Sequence, residues 1–343
     1  MASRITIYEI ARAAGVGIGT VSRVLNNHPS VTPETRQKVR DVMRRMRYQP
    51  HTYAQRLARH HSETICAVIP FFTNYFFAEI LRGVQEGIGR LGYDLVLFGV
   101  NDVSQAESSI ARALQRGRVD GMLFFSMRLP EKVVPRLREA RLPIVLVDSY
   151  HPDFDSVSVA NSNGAYDATE YLSSLGHCRI GMITASQLSI SAGERLDGYK
   201  RALENNGIKY SKELVKAGAN TKEHGFNREA GYEAMSDFVR MGSEMPSAFF
   251  VSSDIQAIGA LAALSEHSLR VPDDVSIVGF DDIELAEHLR LTTMRQPMYE
   301  MGETAVERLR ARMEDPDMDV LHRTFSPQLI VRDTCGPFIV KGR

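Results

Sequence analysis

Two stretches near the start of the chain decide the first part of its fold: Thr6-Ile-Tyr-Glu-Ile-Ala-Arg-Ala-Ala-Gly-Val16 and Thr20-Val-Ser-Arg-Val-Leu-Asn26. Thr6 and Glu9 have the Thr-x-x-Glu spacing of a capping box, which opens a helix. The apolar residues that follow recur at i, i+3, i+4 and i+7 and share one face: Ile7, Ile10, Ala11 and Ala14. Gly15 ends this helix and the second stretch forms another, so the pattern predicts two short helices joined by a glycine turn.

The second helix has an inner and an outer face. Its inward residues are expected to be Val21, Val24 and Leu25. Its outward residues are Ile18, Gly19, Ser22 and Arg23, the face with which a recognition helix meets base edges. A helical hairpin in an ordinary core would show the same apolar pattern. The distribution of charge along the chain distinguishes such a hairpin from a DNA-binding motif. Residues 1–60 hold eleven Lys or Arg and three Asp or Glu, a formal charge of +8, whereas the whole chain carries −1. This asymmetry favours a DNA-binding helix-turn-helix.

A third helix and a basic linker follow. Thr32-Pro33-Glu34 combines an N-cap, a proline at the first helical position and an acid in the first turn, which predicts a helix start. A basic stripe on this helix is either a solvated surface or a DNA-backbone contact: Arg36, Arg40, Arg44 and Arg47. Residues 51–62 form a basic linker. Within it, Tyr53–Arg59 could form about two helical turns, which would need a partner because so short a helix is marginal in water.

From Ile65 onward, short apolar runs alternate with amphipathic helical patterns. The predicted strands are Ile65–Ile69, Leu95–Phe98, Met122–Phe125, Ile144–Val147, Ile180–Ile183, Ala248–Val251 and Ser276–Phe280. Continuous apolar strands that alternate with helices predict parallel sheets covered on both faces. Because roughly 270 residues are too many for one core, we expect two lobes with a cleft between them. The predicted fold class is therefore α/β, with an all-α helix-turn-helix headpiece followed by a two-lobed core of parallel sheets.

The cleft is the expected ligand site, because parallel α/β sheets bind ligands at the carboxyl ends of their strands. The residues that follow strands are Pro70–Phe77, Ser126-Met127, Asp148-Ser149, Ala185–Arg195, Ser252–Asp254 and Asp281-Asp282. Carboxylates and an arginine suit hydroxyl groups, and aromatic side chains suit the face of a ring. The pattern therefore indicates binding of a small molecule.

Motifs of catalysis and of metal binding are missing. Gly15–Gly19 has Thr20 where a dinucleotide fingerprint needs its third glycine, and it follows a helix instead of a strand. The sequence has no Walker A motif, no G-x-S-x-G elbow and no H-E-x-x-H. The three cysteines, Cys66, Cys178 and Cys335, are widely separated and have no metal-ligand spacing. We predict a protein that is not an enzyme, with no catalytic residues, no metal site and no cofactor.

The cellular location follows from two further absences. The longest apolar runs, such as Ile65–Phe72, are too short to span a bilayer, and the N-terminus has no apolar segment of the kind that directs secretion. We therefore expect a cytoplasmic protein that does not associate with membranes.

Many stretches of the chain match one known family in order. They include Thr6–Val16, Thr20–Asn26, Val31–Arg36, Tyr48-x-Pro50, Asn74–Ile80, Gly164-Ala165, Leu175–His177, Glu194–Tyr199, Val271–Ser276, Gly279–Asp282 and Thr292–Pro297. Over essentially its whole length the chain resembles the lactose/galactose repressor (LacI/GalR) family of bacterial transcription regulators. The resemblance implies a helix-turn-helix headpiece, a hinge helix and a core similar to periplasmic sugar-binding proteins. It also implies a homodimer on a pseudo-palindromic DNA operator. No heptad pattern follows Val331, so we expect a dimer and not a tetramer held by a C-terminal coiled coil.

The resemblance implies a division of the chain at defined boundaries. The segments are a headpiece at 1–50, a hinge helix or linker at 51–62, a first lobe at 63–161 and 293–322, a second lobe at 162–292 and 323–333, and a tail at 334–343. The dimer contact is expected largely from the first lobe, including Phe77–Leu91.

DNA-binding roles carry over position by position. Ile18, Gly19 and Arg23 occupy the family's base-reading positions, and Arg23 can bind a guanine through two hydrogen bonds. Gly19 departs from the family because it has no side chain with which to contact a base. Residues matched to phosphate or other DNA contacts are Thr6, Thr20, Ser22 and Asn26. The resemblance places Tyr53, Ala54 and Leu57 on the hinge helix, with Leu57 wedged between central base pairs.

Effector-binding roles carry over in the same way. Arg195 and Asp281 match the family's two polar anchors, and Asp148 matches a further position that binds a sugar hydroxyl. Asp254 matches the aspartate of an Asn-Asp pair, in which Ser253 here replaces the asparagine. Other candidates are Asn74, Phe76 and Phe77 in the first lobe, and either Asn220 or Asn227 at a position often held by an aromatic residue.

The functional prediction is a DNA-binding regulator, most simply a repressor, that a small-molecule effector controls from the cleft. A sugar or sugar derivative is the leading effector. The alternatives are a nucleobase corepressor and control by a phosphoprotein partner. The sequence leaves open whether the effector strengthens or weakens DNA binding.

Overall fold

The computed structural model describes residues 5–25, 28–48, 62–100, 103–115, 118–186 and 189–339. Two compact units make up the chain: residues 1–64 with 115–120, and residues 65–114 with 121–343. In the described ranges, none of the helices combines the length and the apolar character that a bilayer crossing needs.

The headpiece contains three helices: α1 (Ile7–Ala14), α2 (Ile18–Leu25) and α3 (Pro33–Arg45). The predicted capping box is present, because the Glu9 carboxylate accepts hydrogen bonds from the Thr6 backbone N–H at 2.7 Å and from the Thr6 hydroxyl at 3.0 Å. Gly15 ends α1 with a left-handed φ of 62°, a conformation that glycine adopts without a steric penalty. The three helices bury a common apolar core that includes Ile10, Ala14, Val21, Val24, Val39 and Val42. The predicted helix-turn-helix is confirmed.

The core begins with a first lobe of alternating strands and helices. Its elements in chain order are β1 (Thr64–Pro70), α4 (Tyr75–Leu91), β2 (Asp94–Val100), α5 (Val103–Ala113), β3 (Gly121–Phe125), α6 (Val134–Ala140), β4 (Ile144–Val147) and β5 (Asp155–Val159). Strands β1, β3 and β4 are buried along their whole length, as their continuous apolar sequences predict for a sheet covered on both faces.

A second lobe follows, after which the chain returns to the first lobe and then ends in the second. The next elements are α7 (Asn161–Ser174), β6 (Ile180–Thr184), α8 (Ile190–Asn205), β7 (Val215–Ala217), α9 (Arg228–Val239), β8 (Ala248–Val251), α10 (Asp254–Glu266), β9 (Ser276–Asp281), α11 (Glu284–His288) and β10 (Thr292–Arg295). The last ones are α12 (Met298–Glu314), β11 (His322–Phe325) and β12 (Gln328–Ile330).

Each lobe holds one six-stranded sheet. The strand order is β11-β5-β4-β3-β1-β2 in the first lobe and β12-β10-β9-β8-β6-β7 in the second. Strand β12 runs antiparallel to β10, whereas β10 runs parallel to β9 and β11 runs parallel to β5. The chain therefore passes between the lobes three times: after β5, after β10 and after β11. The predicted α/β class with two parallel-sheet lobes is confirmed.

The predicted lobe boundaries need a correction of three residues at two crossings. Residues 293–295 lie in the second sheet, where Arg295 is in register with Asp281, although they were assigned to the first lobe. Residues 323–325 lie in the first sheet, where Phe325 is in register with Val159, although they were assigned to the second lobe. The chain crosses to the other lobe only after the last paired residue of each strand. The sequence did not indicate this end point, because an exposed strand such as β11 has no hydrophobic pattern.

Glycines bring pairs of helices into close contact in both lobes. A Cβ atom built on Gly83 of α4 would overlap the backbone carbonyl oxygen of Tyr299 in α12, and one built on Gly302 would overlap the carbonyl oxygen of Ile80. In the second lobe, a Cβ on Gly231 of α9 would overlap the carbonyl oxygen of Gln256 in α10. These backbones approach so closely because no side chain separates them.

Candidate functional site

The outer face of α2 presents the predicted base-reading residues. Ile18 is 42% exposed, and Gly19 and Arg23 are also exposed, whereas Val21 and Val24 on the opposite face are buried. A Cβ at Gly19 would meet no atom within 4 Å, so packing within the headpiece does not require a glycine there. The two residues assigned to phosphate contacts on this helix, Thr20 and Ser22, are partly exposed.

The other predicted DNA contacts have mixed outcomes. Thr6 is exposed, but its hydroxyl donates to Glu9 within the capping box. In the basic stripe, the Arg36 guanidinium donates to the carbonyl oxygen of His28 at 2.8 Å, so this side chain also fixes the loop before α3. Predictions for Asn26, Tyr53, Ala54 and Leu57 lie outside the described residues.

A cavity lies between the two lobes at the carboxyl ends of their strands, the position at which α/β sheets bind small molecules. The first lobe lines it with Pro70, Phe71, Asn74, Phe76, Phe77, Ser126 and Asp148. The second lobe lines it with Ser189, Ser191, Arg195, Glu223, His224, Phe226, Ser253, Ile255 and Asp281. The structure thus brings together six of the predicted effector residues: Asn74, Phe76, Phe77, Asp148, Arg195 and Asp281. In the described ranges, no three His, Cys, Asp or Glu side chains form a group that could hold a metal ion.

Arg195 is the positive centre of this cavity and is almost fully buried. Its Nε donates to the Asn161 Oδ1 at 2.9 Å, and its Nη1 donates to the backbone carbonyl of Ser252. The guanidinium lies 3.8 Å from the Phe280 ring centre, and its Nη1 lies 3.8 Å from the Asp281 Oδ1. Burial lowers the pKa of Arg195 from its ordinary value because it disfavours the charged form. These contacts fix the orientation of the side chain before any ligand binds.

Two carboxyl groups face the guanidinium from different lobes. Burial raises the pKa of Asp148 to about 6, opposed by a hydrogen bond from the Ser126 hydroxyl at 2.7 Å and by the charge of Arg195. Burial raises the pKa of Asp281 to about 7, opposed by Arg195 and by a 2.6 Å hydrogen bond from the Gln296 side chain. Carboxylates with two acceptor oxygens each, next to an arginine, can bind several hydroxyl groups of one ligand.

The raised pKa of Asp148 leads to a pH-dependent prediction for Asp148→Asn. The pKa lies above its ordinary value of 3.8, so the folded state holds the proton more tightly than the unfolded state. Wild-type stability relative to the variant should therefore fall as pH rises from about 4 to 6, by roughly 1–2 kcal/mol, and then stay level. Urea unfolding of both proteins at about pH 4.5 and pH 7.5 measures this difference. A difference that is independent of pH would contradict the raised pKa.

Two predicted effector residues lie outside the cavity, which is a correction. Asp254 is fully buried, and its carboxylate accepts hydrogen bonds from the Thr293 hydroxyl at 2.5 Å and from the Ile283 backbone N–H at 3.0 Å. Its neighbours in sequence, Ser253 and Ile255, line the cavity instead. Asp254 therefore ties α10 to β10 and to the segment after β9.

Asn220 is the second correction. Its side chain accepts a hydrogen bond from the Lys222 backbone N–H at 3.1 Å, within its own loop. The alternative candidate, Asn227, is the N-cap of α9 and accepts from the Ala230 backbone N–H at 2.8 Å. The aromatic residue of this loop that lines the cavity is Phe226.

Sequence reasoning missed several lining residues. Ser126, Ser189 and Ser191 lie in stretches that were noted because they follow strands, but serine alone gives no strong signal. Glu223, His224 and Phe226 lie in a loop whose path depends on contacts far away in the sequence, so no local pattern could have identified them.

Comparison with known proteins places the chain in a family. A model described as "Bacterial regulatory proteins, lacI family" matches residues 6–51, and a model of a periplasmic binding protein-like domain matches residues 169–335. Catabolite control protein A of Priestia megaterium is 31% identical over 320 residues, which cover 92% of this chain and 94% of that protein. The chain belongs to the lacI family of bacterial regulatory proteins.

Solved structures of bacterial transcription regulators share the fold over nearly the whole length of the chain. A lac repressor dimer bound to operator and the anti-inducer ONPF is 27% identical, with a TM-score of 0.82, over 97% of this chain and 99% of that one. A complex of the transcriptional regulator CelR with cellobiose is 29% identical, with a TM-score of 0.71, over 96% of this chain and 100% of that one. The chain is thus a DNA-binding transcription regulator of the lacI family, and its relatives are regulators instead of enzymes.

Proposed function

We propose that this regulator is a repressor whose operator affinity is set by an uncharged sugar or sugar derivative bound in the inter-lobe cavity. The observation that carries the proposal is the arrangement of Arg195 between Asp148 and Asp281, because it offers a fixed donor fork and two acceptors to neighbouring hydroxyls. Phe76 and Phe226 add apolar surface for the face of a sugar ring.

The similarity to the transcriptional regulator CelR in its complex with cellobiose supports a sugar as the effector class. A nucleobase is the second candidate, because the aromatic rings of Phe71, Phe76 and Phe226 would equally suit a flat heterocycle. A sugar needs several hydrogen-bonding groups at once, and the two carboxyl groups with Ser126, Ser189 and Ser191 supply them.

Control of DNA binding would follow from the position of the cavity. Both lobes contribute walls to it, and three chain crossings join them, so a ligand that prefers one arrangement of the lobes shifts their equilibrium. The coupling to DNA would pass through residues 49–61, which lie between the headpiece and β1.

The DNA-binding species would be a homodimer formed largely through the first lobe. Strand β2 is the outer strand of its sheet and carries two exposed apolar side chains, Val96 at 39% and Leu97 at 40% exposed. An outer strand with an apolar surface favours pairing with a second copy. A dimer would also give two headpieces for the two halves of a pseudo-palindromic operator.

Operator binding tests the proposal directly. The purified protein is titrated onto DNA from upstream of its own gene, with and without neutral sugars, sugar phosphates and nucleobases. A neutral sugar that changes the affinity at least tenfold would support the proposed effector class. Tight binding to a palindrome with no response to any compound would refute it and would favour control by a protein partner.

Arg23→Ala should weaken operator binding by roughly 1–3 kcal/mol and relax the base preference at one position of each half-site. The reason is that Arg23 is exposed on the outer face of α2, where its guanidinium can bind a guanine through two hydrogen bonds. A gel-shift series on operators with single base changes measures both effects. An unchanged base preference would exclude Arg23 from base reading, and Arg45→Ala on α3 serves as a control for loss of positive charge alone.

A further inference from the structure

A loop of the second lobe, residues 222–226, lies against the cavity and is fixed firmly on its own lobe. The buried Gln256 side chain donates to the carbonyl oxygens of Gly225 at 3.0 Å and of Thr184 at 2.9 Å. The His224 carbonyl accepts from the Ser186 backbone N–H at 2.7 Å. The loop therefore moves with the second lobe as one body.

The loop has an unusual backbone. Glu223 (φ 51°, ψ 35°) and His224 (φ 55°, ψ 22°) are both in the left-handed region and are followed by Gly225 with φ 91°. Side chains other than glycine rarely adopt this region, so the surrounding hydrogen bonds hold the loop there. Strained segments of this kind concentrate at ligand sites, where they aim particular side chains.

This backbone directs the side chains of Glu223 and His224 to residues of the first lobe. The Asn74 Nδ2 donates to the Glu223 Oε2 at 2.8 Å and to the Phe226 carbonyl at 3.2 Å. At the same time the Asn74 Oδ1 accepts from the Phe76 backbone N–H at 3.1 Å, so it caps α4 and is held in place. The rings of Phe71 and His224 meet edge to face with their centres 5.2 Å apart. The contact between Glu223 and Asn74 thus joins the lobes beside the ligand space.

Acidic side chains outnumber basic ones around the cavity. Three carboxyl groups line it, from Asp148, Glu223 and Asp281, and among its described lining residues Arg195 is the only Lys or Arg. The guanidinium of Arg195 is already hydrogen-bonded to Asn161 and to the Ser252 carbonyl. His224 adds no compensating charge at neutral pH, because burial lowers its pKa. An anionic ligand would therefore meet one arginine and three carboxyl groups.

We infer that Glu223, held across the cavity by Asn74, is a specificity-determining residue that admits neutral hydroxyl-bearing ligands and rejects phosphorylated ones. The inference rests on the proposed function, because it assigns the charge class of the same effector. A phosphate group would share the cavity with three carboxyl groups and one arginine, and charge repulsion is screened less in such a buried site than in bulk water. The same carboxylate offers a hydrogen-bond acceptor to a neutral ligand at no such cost.

Matched pairs of ligands test the selection by charge. Calorimetric titration of the full-length protein uses glucose and glucose 6-phosphate, ribose and ribose 5-phosphate, and adenosine and adenosine monophosphate. The neutral member of any pair that binds should bind at least tenfold more tightly than its phosphate. Glu223→Gln keeps an acceptor for Asn74, and in this variant the ratio of the dissociation constants of the phosphate and its neutral partner should fall about tenfold. In Glu229→Gln, at an exposed site outside the cavity, this ratio of dissociation constants should not change.

The outcomes separate the inference from the proposed function. A phosphate ester that binds as tightly as its neutral partner, or an unchanged preference in Glu223→Gln, overturns the inference and leaves a ligand-controlled regulator standing. A protein that binds its operator but no member of any pair refutes the effector assignment itself, and the inference falls with it.

A double-mutant cycle tests the contact between the lobes without any ligand. Asn74→Ala, Glu223→Ala and the double variant are compared by thermal unfolding of the ligand-free protein. The double variant should lose less stability than the two single variants together, because each single change already breaks the shared hydrogen bond. Strict additivity would mean that Glu223 is not held by Asn74 in solution, which overturns the inference.

Discussion

Replacement of Arg195 by alanine is expected to lower the free energy of unfolding by about 3–5 kcal/mol and to abolish the response to effector. The side chain is only 4% exposed, its partner Asp281 is 7% exposed, and the two are the central charges of the cavity. Without the guanidinium, the buried Asp281 carboxyl group would lose its neighbouring positive charge and could be ionised only at a greater cost, and the Asn161 amide oxygen and the Ser252 carbonyl would each lose a donor.

Urea unfolding measures the stability change, and operator titration with and without the identified effector measures the response. Arg201→Ala is the matched control, because Arg201 lies on the same helix α8 but is exposed and should change stability by less than about 0.5 kcal/mol. Arg195→Ala combined with Asp281→Asn should recover part of the lost stability, since it removes the uncompensated carboxylate. A single variant as stable as wild type would show that Arg195 does not balance Asp281.

The second large effect is expected for Gly83→Ala, which should destabilise the protein by about 3 kcal/mol or more. The new methyl group would overlap the backbone carbonyl oxygen of Tyr299 in α12, and a backbone atom of a packed helix cannot turn aside as a flexible side chain can. Helices α4 and α12 would have to separate, and the surrounding core residues Ile80 and Val306 would lose contacts.

Gly89→Ala on the same helix is the matched control. Gly89 is exposed, and a Cβ there would meet no atom within 4 Å, so alanine should raise stability by up to about 1 kcal/mol through its higher helix propensity. Thermal and urea unfolding of the two variants should therefore give shifts of opposite sign. Equal shifts would refute the close approach of α4 to α12.

The fold was predictable from the sequence where local chemistry determines structure. The capping box at Thr6, the glycine turn at Gly15 and the continuous apolar strands are each encoded within a few residues. Strands such as β7 and β11 were not predicted, because they are short, not fully buried and defined only by pairing with distant segments. The glycine contacts between helices were also missed, because a glycine in a helix leaves no mark of the helix that packs against it.

The residues of the candidate site were likewise predictable only where a local sequence pattern located them. Asp148, Arg195 and Asp281 were found because they follow or lie near the ends of strands that the pattern located, and a resemblance gave them roles. Asp254 follows a strand equally well, yet its side chain turns away from the cavity to bond Thr293. Glu223 was missed because its position depends on a left-handed backbone and on Asn74, which lies 149 residues earlier in the chain.

The three passages of the chain between the lobes affect how the protein is made. Strand β11, which borders β5, and helix α12, which packs on α4, are synthesised only after nearly the whole second lobe. When the ribosome has completed residue 290, strands of both sheets have still to be synthesised. The first lobe therefore cannot be complete until almost all of the second lobe has been synthesised. The same arrangement means that recombination between genes cannot exchange one lobe as a single uninterrupted cassette.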